Sequence, residues 1–147
     1  MKGGYILVIK VEKDLNNVKI GKLGNLSFKK GFYCYVGSAF GKYITIEKRI
    51  SRHLRKDKKL RWHIDYLLSN RYAKIVEIIK IPSDHKIEEE ISKFVQSYAD
   101  YTIRGFGSTD CRVEGNLHYF SNKNKLEKLI QALSKSYKIF RQEILCI

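Results

Sequence analysis

Proline is almost missing from this chain: one residue, Pro82, among 147. That excludes Pro-rich linkers, collagen-like repeats and polyproline docking segments. Cysteine is scarce too. Cys34, Cys111 and Cys146 are odd in number and far apart, so they make neither a disulfide framework nor a CxxC zinc site. No apolar run reaches the roughly 18 residues of a membrane span. The apolar stretch from Tyr5 to Ile9 is followed at once by charges and is too short for a signal peptide. The expectation is an intracellular, cytoplasmic protein with no membrane partner. Acidic residues are the third shortage, with 15 Asp and Glu against 29 Lys and Arg, a net charge of +14. A field of that sign gathers polyanions. The expected partner is nucleic acid, DNA or RNA.

What is present describes one folded unit. Apolar residues make up 44% of the chain and charged ones 30%, the balance of a domain with a real core. Residues 1–147 read as a single domain, with 121–147 as a C-terminal helical and tail extension. Residues 4–12, rich in β-branched and aromatic types, predict a strand. Val18–Ile20, Leu26–Phe28 and Phe32–Val36 predict shorter ones separated by glycine turns. Tyr43, Ile46, Ile50 and Leu54 recur three and four apart, an apolar helical stripe that Thr45 can cap. A second helix is expected over Trp62–Leu68, a strand over Ala73–Ile81, and a helix marked by Ile87, Ile91, Val95 and Tyr98. The glycine-containing stretch 104–116 reads as a structured loop. Leu117–Phe120 predicts a last short strand, and Leu126, Leu129, Ile130 and Leu133 mark a C-terminal helix. The order predicts an α+β fold, a small antiparallel sheet flanked by helices. The partly alternating tail 137–147 suits an edge strand or a homodimer seam.

The positive charge is concentrated. Residues 42–61 hold nine Lys and Arg against Glu47 and Asp57, half of the whole excess. On a helix, Arg49, Arg52, His53 and Lys56 share one face, beside the apolar stripe. A helix edge carrying guanidinium forks suits phosphate oxygens; a solvated face is the bland alternative.

Several motifs occur in order. Gly3-Gly4-Tyr5 opens the first strand and Tyr35-Val36-Gly37 closes a later one. Arg49 follows on a helix, with His53 four residues on. Gly31–Ala39, Arg49–Leu54, Trp62–Leu68, Glu88-Glu89-Glu90 and Gly105–Cys111 complete the set. Together they resemble the GIY-YIG nuclease superfamily, in particular its small Uri superfamily endonuclease branch. The branch's second loop cysteine and histidine are absent here, where Val113 and Asn116 stand.

The resemblance implies a GIY-YIG-like fold and a metal-dependent endonuclease acting on DNA, structure-selective in repair or recombination and working beside a repair protein partner. The alternative is a nucleic-acid-binding protein of that fold without cleavage. The implied catalytic residues are Tyr5, Tyr35, Arg49 and His53. One Tyr would accept a proton and the other orient water, with Tyr5 assigned as acceptor. A phenol, ordinarily of pKa about 10, needs a cation to ionise. Arg49 would bind the scissile phosphate. Glu88, with Glu89 and Glu90 as competitors, would hold Mg²⁺, or Mn²⁺ in its place, since such ions accept one carboxylate plus water. Arg52, Arg55, Lys56, Lys58, Lys59, Arg61, His63, Arg104 and Arg112 would contact nucleic acid. Asp65 reads as a cap or ion-pair partner, and Asp110 as a brace of the glycine loop.

Overall fold

A computed structural model of the chain describes residues 1–107 and 113–144. Eight strands and four α-helices alternate along these residues. The long first strand, β1 (Gly3–Val11), lies near the middle of a six-stranded sheet. It pairs antiparallel with β4 (Gly31–Ala39) on one side and with β5 (Ala73–Pro82) on the other. Short β2 (Leu15–Lys19) and β3 (Asn25–Phe28) form a separate two-stranded sheet between β1 and β4 in the chain. Beyond β4 lie β7 (Leu117–Phe120) and the two-residue β6 (Tyr101–Thr102). Beyond β5 lies β8 (Phe140–Glu143), so the tail does supply an edge strand. All the pairings are antiparallel. The fold is therefore α+β, a small antiparallel sheet flanked by helices.

The sheet is covered on both faces, as the apolar runs of its central strands require. β1 is buried at every position except Lys10. Its odd residues Tyr5, Leu7, Ile9 and Val11 enter one core, with Tyr33, Tyr35, Ile46, Ile50, Ile64 and Phe106. Its even residues Ile6 and Val8 enter the other, with Cys34, Val36, Ile91, Val95, Leu126 and Leu129. The period of two sends alternate side chains to opposite faces. Helices α1 (Ile46–Leu54) and α2 (His63–Leu68) lie on the first face. Helices α3 (Glu88–Tyr98) and α4 (Lys123–Ser136) lie on the second. Among the described residues, no helix is long and apolar enough to cross a membrane.

The stripe expected on the first helix needs correction. Tyr43 and Leu54 are exposed, and the buried residues of α1 are Ile46, Ile50 and His53. The reason lies at the N-terminus. Thr45 accepts a hydrogen bond from the Lys48 N–H, so the helix starts after it and Tyr43 falls outside. At the other end His53, three residues after Ile50, takes the inward position ahead of Leu54.

Gly37 shows why a glycine ends β4. It stands opposite Tyr5 across the β1–β4 pair, and the Tyr5 ring lies directly over it. A Cβ there would come closer than 3.0 Å to the ring and hydroxyl of Tyr5. Tyr5 is itself fully buried and has nowhere to go. Gly37→Ala is therefore expected to destabilise the fold by about 1–3 kcal/mol, read as a lower urea midpoint, and to push Tyr5 off its hydroxyl partner.

Candidate active site

A cleft of about 360 Å³ opens where β1 begins and β4 ends, and where the first turn of α2 approaches. Tyr5 and Tyr35 form its base, and Arg49, Trp62 and His63 one wall. Glu88 stands on the rim, with Ser38 beside it donating to its Oε1 at 3.2 Å. Of the three glutamates that open α3, Glu88 is the one that lines the cleft. Glu89 pairs with Lys93 at 3.0 Å, and Glu90 accepts from the Tyr137 hydroxyl.

Tyr5 and His53 meet at 2.8 Å, hydroxyl to Nε2, in the interior. Burial pushes the His53 pKa down to about 4, with the neighbouring Asp65 opposing that shift and Lys58, Arg52 and Arg49 adding to it. The ring is therefore neutral near pH 7. Its Nδ1 is buried with no hydrogen-bond partner. A proton on Nδ1 would bury an N–H unsatisfied, a costlier arrangement than a bare lone pair. The favoured tautomer carries its proton on Nε2 and donates to the Tyr5 oxygen. That leaves the Tyr5 O–H to point elsewhere, toward the cleft that Tyr5 lines.

His63 has its orientation set differently. Its Nδ1 accepts from the Gly107 N–H at 2.9 Å, so the neutral ring carries its proton on Nε2. Burial holds its pKa below the usual value. Arg49 lies over the Trp62 ring, 4.8 Å from its centroid, which restrains the guanidinium without using its N–H donors on a carboxylate.

Burial raises the Tyr5 pKa well above the ordinary value, outweighing the lowering by Arg49. Burial does the same for Tyr35. Both phenols are held in the protonated form by burial, so a proton-accepting Tyr5 requires a cation close to its oxygen.

The basic residues divide into three groups. Arg49, Arg61 and His63 line the cleft. Arg52 is engaged inward: its two terminal nitrogens meet the two Asp65 oxygens at 2.9 and 2.8 Å, and it lies over Trp62 at 4.2 Å. Asp65 also accepts from the backbone N–H groups of Arg61 and Trp62, both at 2.9 Å. Burial pushes the Asp65 carboxyl up, but these bonds more than offset it and hold the pKa below the usual range. Arg55, Lys56 and Lys58 turn to a different groove behind α1. Lys58 closes the helix end by donating to the carbonyls of His53 and Arg55. Lys59 is exposed, and its carbonyl accepts from Arg52. Arg104 is exposed in the turn before Phe106, outside the lining of the cleft. Arg112 and Asp110 lie outside the described residues.

Asn116, Trp62 and Gly107 were not among the residues selected from the sequence. Asn116 is buried, and its side-chain N–H₂ donates to the Gly107 carbonyl at 3.3 Å. It thus holds the same loop residue that His63 holds. Trp62 could have been suspected, as the one tryptophan in the chain between two basic stretches.

A second buried histidine is purely architectural. His118 is bonded on both ring nitrogens, to Ser92 at 2.9 Å and Thr102 at 2.7 Å, and burial lowers its pKa to about 4. An unfolded histidine titrates near 6.5. Between these values the unfolded chain binds more protons than the folded one. Stability is therefore full above about pH 6.5 and falls as the pH drops toward 4, by about 1.4 kcal/mol per pH unit for each such histidine. His53 acts in the same window. Urea midpoints measured from pH 7 to 4.5 are expected to fall steeply, and His118→Gln to flatten that slope.

Fold and cleft define the class: an α+β domain with a basic cleft, walled by hydrogen-bond donors, at one end of its sheet. The chain belongs to the family described as "Domain of unknown function DUF123", which matches residues 4–139. That family is unrelated to the GIY-YIG nuclease superfamily, so the resemblance drawn from the ordered motifs is corrected. The designation GIY-YIG falls with it, and the family match gives no backing to the terms nuclease, endonuclease and magnesium. No curated protein and no solved structure matches the chain significantly.

Proposed function

We infer that the cleft takes a phosphodiester of a nucleic acid, DNA in the first instance, and hydrolyses it. One observation carries this reading: three side chains that can donate hydrogen bonds line one cleft. The Arg49 guanidinium, the Tyr5 O–H freed by His53, and the His63 Nε2–H all belong to side chains lining the cleft. Donors lining one partly desolvated cleft can stabilise an oxyanion bound there. The net charge of +14 brings a polyanionic substrate to that cleft.

Among the described residues, no three His, Cys, Asp or Glu side chains cluster to hold a metal. A closed nitrogen or sulfur site is therefore a poor fit. A hydrated divalent cation held by the single carboxylate of Glu88 fits better, with water and substrate oxygens as its other ligands. Bound there, such an ion would supply an acidified water as nucleophile. The residues of the chain do the remaining work. Arg49 binds the non-bridging oxygens and offsets their growing charge. Tyr5 donates to a phosphoryl oxygen, and His53 holds the Tyr5 oxygen in place. His63 donates into the same cleft while anchoring Gly107. Tyr35 completes the base beside Tyr5.

A second reading, phosphodiester binding without hydrolysis, is favoured by the protonated phenols and the lone carboxylate. A cleavage panel of single-stranded, duplex, nicked, flap and branched DNA plus RNA separates the two. It is run with divalent cation and with chelator, beside Glu88→Ala. Cation-dependent cleavage that Glu88→Ala abolishes supports hydrolysis. Binding without cleavage in every lane supports the second reading.

A further inference from the structure

We propose that the groove behind α1 is a second nucleic-acid site, one that takes a single-stranded segment. The groove measures about 850 Å³, more than twice the cleft. Arg55, Lys56, Lys58, Arg71 and Lys74 line it. The opposing charges are few. Glu12 is bridged to Lys74 at 3.2 Å, and Asp65 is balanced by Arg52. The groove therefore keeps a net positive field.

Its chemistry is not that of a uniform basic surface. Leu54 and Leu60 line it while remaining 43% and 41% exposed. Exposed leucines next to arginines offer an apolar surface that unstacked bases can cover, with the phosphates held by the cations at the margin. A duplex keeps its bases in the stack and would leave those leucines wet. Tyr72, also in the groove lining, gathers cations at one side. Lys13 lies 4.0 Å and Arg71 4.8 Å from its ring centroid. The ring thus gathers two charges that pair with no carboxylate among the described residues.

α1 stands between the two sites, with Arg49 facing the cleft and Arg55 the groove. A substrate engaging both would run past the helix, with a phosphodiester in the cleft and an unpaired strand behind it. The inference rests on nucleic acid as the ligand of this protein, but not on hydrolysis.

The test is equilibrium binding of the whole chain to a labelled 20-nucleotide oligothymidine and to a 20-base-pair duplex, over a salt series. The variants are Arg55→Ala/Arg71→Ala and Leu54→Ser/Leu60→Ser, with Arg49→Ala as the cleft control. The arginine pair is expected to weaken single-strand binding about tenfold. It should also flatten the log–log salt slope by about 1.4, roughly 0.7 for each lost phosphate contact. The leucine pair should weaken single-strand binding about fivefold with no change in slope, because bases carry no counterions. Duplex binding should change less than twofold in both. Unchanged single-strand affinity, or equal losses on duplex, overturns the proposal. If the wild type cleaves nothing yet the single-strand losses appear, hydrolysis in the cleft fails and the groove stands.

Discussion

Arg49→Ala is expected to lower phosphodiester hydrolysis about 10³-fold, while binding of a long DNA falls no more than a few-fold. The asymmetry follows from where the charge sits. Many cations on this surface share the electrostatic attraction, so losing one costs little affinity. Among the described residues, only Arg49 combines a place in the cleft lining with a guanidinium restrained over Trp62 at 4.8 Å. A donor of that kind acts mainly on charge that develops in the transition state, where removing one costs roughly two to three orders of magnitude in rate, more for an arginine on a transferring phosphoryl group. Arg49→Lys should recover only part of the rate, because an ammonium neither forks nor stacks as a guanidinium does. Single-turnover rates beside binding isotherms read the two quantities separately. A parallel loss of binding and rate would mean that Arg49 serves only to hold the substrate.

The second large effect is on stability. Asp65→Ala is expected to cost about 3–4 kcal/mol. Asp65 is completely buried and accepts four hydrogen bonds: two from Arg52, one each from the N–H groups of Arg61 and Trp62. Its removal leaves a cation facing an interior and the first turn of α2 without its cap. The connection also bears on the site, since Asp65 ties the last turn of α1 to the start of α2, and His53 and His63 sit on those two helices. Arg52→Ala should cost less, about 1–2 kcal/mol, because the two backbone N–H groups still satisfy part of the carboxylate. Urea unfolding of the two variants and the double variant checks the coupling. Additive losses would show that the pair is not a unit.

The Asp65 brace also shows where sequence reasoning stops. Arg49 and Arg52 are three apart on one helix and are equivalent by periodicity. They part company because α2 delivers Asp65 to the second and leaves the first facing the cleft. No local pattern could say so, for the pairing spans thirteen residues and an intervening turn. Glu88, Glu89 and Glu90 are another such set. Adjacent on the chain, they separate only when α3 docks on the sheet and Ser38 meets the first of them at 3.2 Å.

The ordered motifs invited a family resemblance that the family match overturned, and the packing around them accounts for their form. A tyrosine early in β1 and a glycine late in β4 let the aromatic ring lie flat against the facing backbone. Gly37 opposite Tyr5 is that arrangement. Gly31 under the Tyr119 ring repeats it at the other end of β4.

Patterning alone was enough for the long strands, the capped helices and the basic helix edge, because periodicity and net charge are properties of neighbouring residues. The two-residue β6, the inward turn of His53, the split of the cations between cleft and groove, and the protonation of Tyr5 were decided by tertiary structure. Each depends on which distant groups close around a side chain, and desolvation with hydrogen-bond closure exists only once they have.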